Sequence, residues 1–154
     1  MQGDPSVIAA LGTVYQNLRA TEEQSHLQEH CFEAQGWDSS KWWDKIEDKI
    51  HEKCVHYVLD RINDLGGMVT PGYAFTPVYF VDDFQGAIRE TIDSLTRCRA
   101  AYAVACDAAE SDEDYVTEKM IWCHLEWIEK QIGKFEGRLL RYGKLGTVVM
   151  TGAL

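Results

Sequence analysis

The stretch EDKIHEKCVHYVLDRINDLGG, Glu47 to Gly67, decides the fold. Ile46, Ile50, Cys54, Val58, Ile62 and Leu65 recur along it at three- and four-residue steps, the spacing of one buried helical face. Gly66-Gly67 closes the helix, because glycine takes the left-handed cap conformation without steric cost. Asp48 and His51 lie beside that face, and their three-residue separation points both side chains in nearly the same direction. A carboxylate-x-x-His pair turned into a helical bundle is half of a carboxylate-bridged di-metal site.

Upstream, Asp38-Ser39-Ser40 supplies the capping residues for this helix, which is expected over 41–65. An earlier helix is expected over 5–35, opened by Asp4-Pro5-Ser6 and closed by Gly36. Its inward stripe reads Ile8, Leu11, Tyr15, Leu18, Glu22, Ser25, Glu29 and Phe32, apolar at both ends and polar in the middle. A buried carboxylate costs several kcal/mol unless it is paired or metal-bound. The polar middle therefore implies either a bound cation or a small rotation that moves Glu22 and Glu29 to the surface.

Downstream, MVTPGYAFTPVYFVDD (68–83) has two prolines and no helical period. In a four-helix bundle such a connection carries the chain back from one end to the other. A short β-hairpin is the alternative, with no further strands to complete a sheet. Asp82-Asp83 caps a third helix over 82–108, with Phe84, Ile88, Ile92, Leu95, Cys98, Tyr102 and Ala105 inward. The acidic turn Glu110–Asp114 leads into a fourth over 112–140, with Met120, His124, Ile128, Gln131 and Phe135 inward. The apolar tail YGKLGTVVMTGAL is expected to lie on the bundle end or on a neighbouring subunit. These readings give one all-α domain over 1–154, a four-helix bundle with a long crossover between helices two and three.

Composition narrows the function. A formal charge of −10 argues against a nucleic-acid surface, which needs clustered Lys and Arg. The five cysteines form an odd set without C-x-x-C spacing and no secretory pattern accompanies them, so free thiols in a cytoplasmic protein are expected. No apolar run approaches the roughly 20 residues of a membrane helix.

The opening MQGDPSVIAAL resembles the M-K-G-D-x-x-V-I-x-x-L start of the bacterioferritins, the haem-bearing branch of the ferritin-like bundles. The register then continues through Asn17, Gln24, Phe32, Gly36, Glu47, Arg61-Ile62 and Gly67, and HLEWIE (124–129) resembles the family's H-I-D-W-L-E. The resemblance implies a ferritin-like four-helix bundle that binds and stores iron as an oligomer. It also implies six ferroxidase slots, which this chain fills with Leu18, His51, Cys54, Leu95, Ile121 and His124. Only His124 keeps the family's residue. The haem-ligating methionine falls at Glu52, so haem is not expected.

Two readings of the metal site follow. A displacement of one turn along the bundle refills five slots with Glu22, Glu47 or Asp48, His51, Glu90 and His124, a set for iron or another divalent metal. Alternatively His51, Cys54 and His124, with Cys98 or Cys123, suit zinc or copper. If neither holds, the histidines are hydrogen-bonded core residues and Cys54 a small hydrophobe. The chain is then a non-catalytic assembly subunit, either in a homo-oligomer or alongside an active ferritin-like partner.

Overall fold

The computed structural model describes residues 3–142. Helix α1 spans Pro5–Ala34, and the second bundle helix follows as α2 (Ser40–Ile50), a π-helical turn (His51–Val55) and α3 (His56–Asp64). After the crossover come α4 (Phe84–Ser111) and α5 (Tyr115–Tyr142). No strand forms among the described residues, so the crossover alternative holds over the hairpin. Gly143–Leu154, the greater part of the apolar tail, lies outside the described residues.

The caps act largely as their residue types dictate. Asp4 accepts from Ser6 N at the start of α1, and Asp83 accepts from Gly86 N at the start of α4. Gly66 takes φ 79°, and Gly67 N then donates to the Ile62 carbonyl at 2.9 Å, which ends α3. A Cβ on Gly67 would meet Ile8 Cγ2 at 2.5 Å, so this second glycine is required by space. Ser39 is the exception: it occupies the cap position of α2 but makes no side-chain cap bond.

Contacts along the helices fix the topology. Trp43 Nε1 donates to Thr91 Oγ1 at 2.7 Å, and Arg61 NH2 to Asp114 Oδ1 at 2.8 Å, so the second helix and α4 run parallel. Phe32 meets Phe84, while Thr21 meets Ser94 and Cys98, so α1 runs against α4. One end is sealed by rings from four helices and a turn, Phe32, Trp37, Trp42, Trp43, Phe84 and Phe135, with the Arg138 guanidinium 4.3 Å over Trp42.

All six residues of the 46–65 stripe are buried. From Ile46 to Ile62 its steps are all of four, and in a regular α-helix each such step slips by about 40°. The π turn, with its i→i+5 bonding, takes up one extra residue and keeps the stripe inward. It also separates two positions read as neighbours: Cys54 is buried, whereas His51 is exposed with Asp48. The Asp48-x-x-His51 pair therefore faces outward, because Ile50 and Cys54 hold the inward positions.

On α1 the expected positions Leu11, Leu18, Glu22, Ser25 and Phe32 are buried, and the face is turned slightly toward Val7, Val14, Thr21 and Gln28. Ile8, Tyr15 and Glu29 are only half-buried. Its polar middle has a structural use. The Gln24 amide both donates to the Val78 carbonyl (2.7 Å) and accepts from Val78 N (2.8 Å). Gln28 does the same with Phe80, at 3.3 and 3.1 Å. Residues i and i+4 of a helix thus meet residues i and i+2 of an extended segment, and two buried side chains supply the ladder that a neighbouring strand would. The third helix runs on through Ser111 and the fourth starts at Tyr115, each about three residues later than expected, so the acidic turn is confined to 112–114.

Candidate metal centre

The position where a bundle of this kind would hold metal ions contains no carboxylate. Leu18, Cys54, Leu95 and Ile121 are fully buried there and His124 is 6% exposed. Tyr102 from α4 reaches across to His124, with its hydroxyl 2.6 Å from Nδ1, and also lies against the Cys54 thiol. Thr21 Oγ1 meets Cys98 Sγ at 3.2 Å.

Burial governs the charge of every titratable group in this network. It pushes the Cys54 and Cys98 thiols up to about 12 and the Tyr102 phenol well above its ordinary value. It pushes the His124 imidazole down to about 4. All four are neutral at pH 7. A pair of hard cations needs several anionic oxygens, so these residues do not fit a di-iron centre. Glu52, at the slot of the haem-ligating methionine, is exposed and offers no thioether.

The hard ligands lie instead on the outer seam between α1 and α2. His26, Glu29 and His30 stand at i, i+3 and i+4 on α1, one face of the helix. Asp44 and Glu47 stand at i and i+3 on α2, opposite them. His26 Nδ1 and Glu47 Oε1 are 2.8 Å apart, and the His26 and His30 rings are 4.7 Å apart between centroids. Two three-ligand groups result, His26/Glu29/His30 and Glu29/Asp44/Glu47, each with ligand atoms within 4.8 Å of one another. Glu29 belongs to both. The Glu47 carboxyl is held above its ordinary value by burial and by the charges of Glu29 and Asp48, against the pull of His26.

Farther along the seam, Glu22 is buried and pairs with Arg19, while its other oxygen accepts from His51 Nδ1 at 2.8 Å. His51 Nε2 lies 3.2 Å from His56 Nε2.

The structure thus brings Glu22 to His51 and Glu47 to His26. It turns Asp48 to solvent, and it sets Cys54 and His124 against Tyr102. Glu90 bonds to Ser94 and Arg97 within α4, at 3.3 and 3.0 Å. Among the described residues, no group of three close ligands includes Glu22, Asp48, His51, Cys54, Glu90 or His124. Sequence reasoning placed Glu29 on the inward stripe and passed over His26, His30 and Asp44. The signal was the H-x-x-E-H spacing of 26–30 on the flank of the stripe, matched by D-x-x-E at 44–47.

A scan against protein-family models and a search of curated proteins each find no match. Among solved structures, the chain is similar to the bacterioferritin of Rhodobacter capsulatus, solved with its dinuclear site metal-free and its haem iron in a crystallographic special position. The TM-score is 0.79 at 17% identity, over 95% of this chain and 91% of that one. The fold is therefore the ferritin-like four-helix bundle, in agreement with the resemblance in sequence.

Proposed function

We propose that this chain is a ferritin-like metal-binding protein that takes divalent cations, iron(II) foremost, on the α1–α2 seam instead of in the bundle core. Glu29 carries the reading: it is common to a two-His-one-carboxylate group and a three-carboxylate group, the place of a carboxylate shared by two ions. Imidazole and carboxylate donors suit iron(II), manganese and zinc. A cation there would also offset the burial and the neighbouring charges of Glu29 and Asp48 that hold the Glu47 carboxyl high.

Iron is cargo in this reading, and the neutral core takes no part in oxidising it. Within an iron-storing assembly, the chain would serve as a non-catalytic subunit. Exposed Val104, Trp122 and Leu140 on α4 and α5 offer apolar surface for association with copies or with an active partner.

Anaerobic calorimetric titration with iron(II) and manganese(II) tests the site. Binding should be at least tenfold weaker in Glu29→Ala and unchanged in His124→Gln. Equal affinity in the wild type and Glu29→Ala would overturn the seam reading. Aerobic iron(II) oxidation well above the buffer rate would overturn the non-catalytic one.

A further inference from the structure

A cleft of about 1050 Å³ opens between the π turn with α3 on one side and α5 on the other. Its walls are Tyr57, Met120 and Trp127, with Tyr115 and Val116 toward the α5 start and Cys54 and His124 at its base. Tyr57 and Tyr115 are 58% and 68% exposed, a large apolar area facing solvent. Aromatic faces and a thioether together accommodate a flat ring system. Lys53 and Lys119 line opposite sides, against a single carboxylate, Glu52, so the lining is net cationic in a chain of charge −10.

His124 makes this a built site as well as a gap between helices. Its Nδ1 is engaged by Tyr102, and its other ring nitrogen has no protein partner among the described residues. That nitrogen is not sealed in, since the enclosed unpartnered side-chain polar atom among the described residues is Ser39 Oγ. It therefore reaches the open space at the base of the cleft. In the tautomer whose Nδ1 accepts from the phenol, Nε2 carries the proton and presents one donor in an apolar floor; in the other it presents one acceptor. Pockets of this size, mostly apolar with a few fixed polar groups, suit small organic ligands.

We propose that the cleft binds a flat, largely apolar carboxylate. Its ring body lies between Tyr57, Met120 and Trp127, its carboxylate lies toward Lys53 and Lys119, and an oxygen on the body meets the free nitrogen of His124.

Fluorescent 1-pyrenebutyrate tests the ring-and-carboxylate part, with neutral 1-pyrenebutanol as its control. The carboxylate should bind at one equivalent per chain. Lys53→Ala/Lys119→Ala should weaken it at least tenfold and leave the alcohol within twofold. Met120→Trp, which fills the cleft, should abolish binding of both while circular dichroism melting stays near wild type. For the base, 3-hydroxy-2-naphthoate should bind more tightly than 2-naphthoate, and His124→Gln should narrow the difference. Equal binding of pyrenebutyrate and pyrenebutanol to the wild type, or binding indifferent to Met120→Trp, would overturn the proposal. So would a dimer by light scattering that excludes the probe until it dissociates, which would assign the cleft to a second copy.

Discussion

Cys54, Cys98, Tyr102 and His124 meet at the centre of the bundle, and His26, Glu29, His30, Asp44 and Glu47 on its α1–α2 flank. The two sets contain similar ligand types, and the protein treats them in opposite ways. At the centre, burial keeps every group neutral and hydrogen bonds satisfy them in pairs. On the seam, the carboxylates lie close together, and partial burial with the neighbouring charges of Glu29 and Asp48 holds the Glu47 carboxyl above its ordinary value. A ferritin-like bundle can thus have a neutral core and carry ligand-type side chains on its flank.

The sharpest way to break the contrast is to put a carboxylate back. Ile121→Glu should cost about 3–5 kcal/mol of stability in urea unfolding at pH 7, because no partner waits for the charge. A loss under 1 kcal/mol would mean that the core is wetter or more cationic than described.

The next effect is in pH. His124 has a folded pKa of about 4 against an ordinary 6.5, so the unfolded chain binds the extra proton between those values. Its contribution is complete above pH 6.5 and is lost as pH falls toward 4, about 3 kcal/mol in all. His124→Gln should flatten that part of the stability profile. Glu47 acts with the opposite sign. A raised carboxyl pKa favours the folded state at low pH, and this is lost as pH rises through the folded value.

Metal comes third. A divalent cation at a hundred times its dissociation constant should add about 2.7 kcal/mol to the wild type and much less to Glu29→Ala. A gain that survives Glu29→Ala but vanishes in His51→Ala would move the site along the seam to Glu22. The smallest effect sharpens the comparison further. Glu47→Gln should stabilise the metal-free protein at pH 7 by no more than about 0.5 kcal/mol while weakening metal binding. Paired melts with and without manganese would show both.

The helices were legible because each has strong punctuation and a period. Asp4, Asp83 and Gly66 mark boundaries that the structure keeps. All six residues of the stripe read on the second helix are buried, and Trp43 and Val55 join them. What failed was angular detail. A helix face is set to within one residue only when apolar positions define it, and the middle of α1 is polar. Gln24 and Gln28 answer to a segment more than fifty residues away, which no local pattern announces. Loss of the central ligands was visible in Leu18, Leu95 and Ile121. The seam was not, because exposed acidic and histidine residues are ordinary on a solvated face.

The π turn carries a consequence for the length of the second helix. It takes up one residue more than an α-helical turn, and the stripe stays buried on either side of it. Laid over an unbroken α-helix, the flank before His51 and the flank after Val55 come into phase only when one residue of the turn is skipped. Across the turn the inward pair is Ile50 and Cys54, both fully buried, while His51 lies on the exposed side. A chain lacking one residue of the turn would regain an unbroken α-helix with the same inner face.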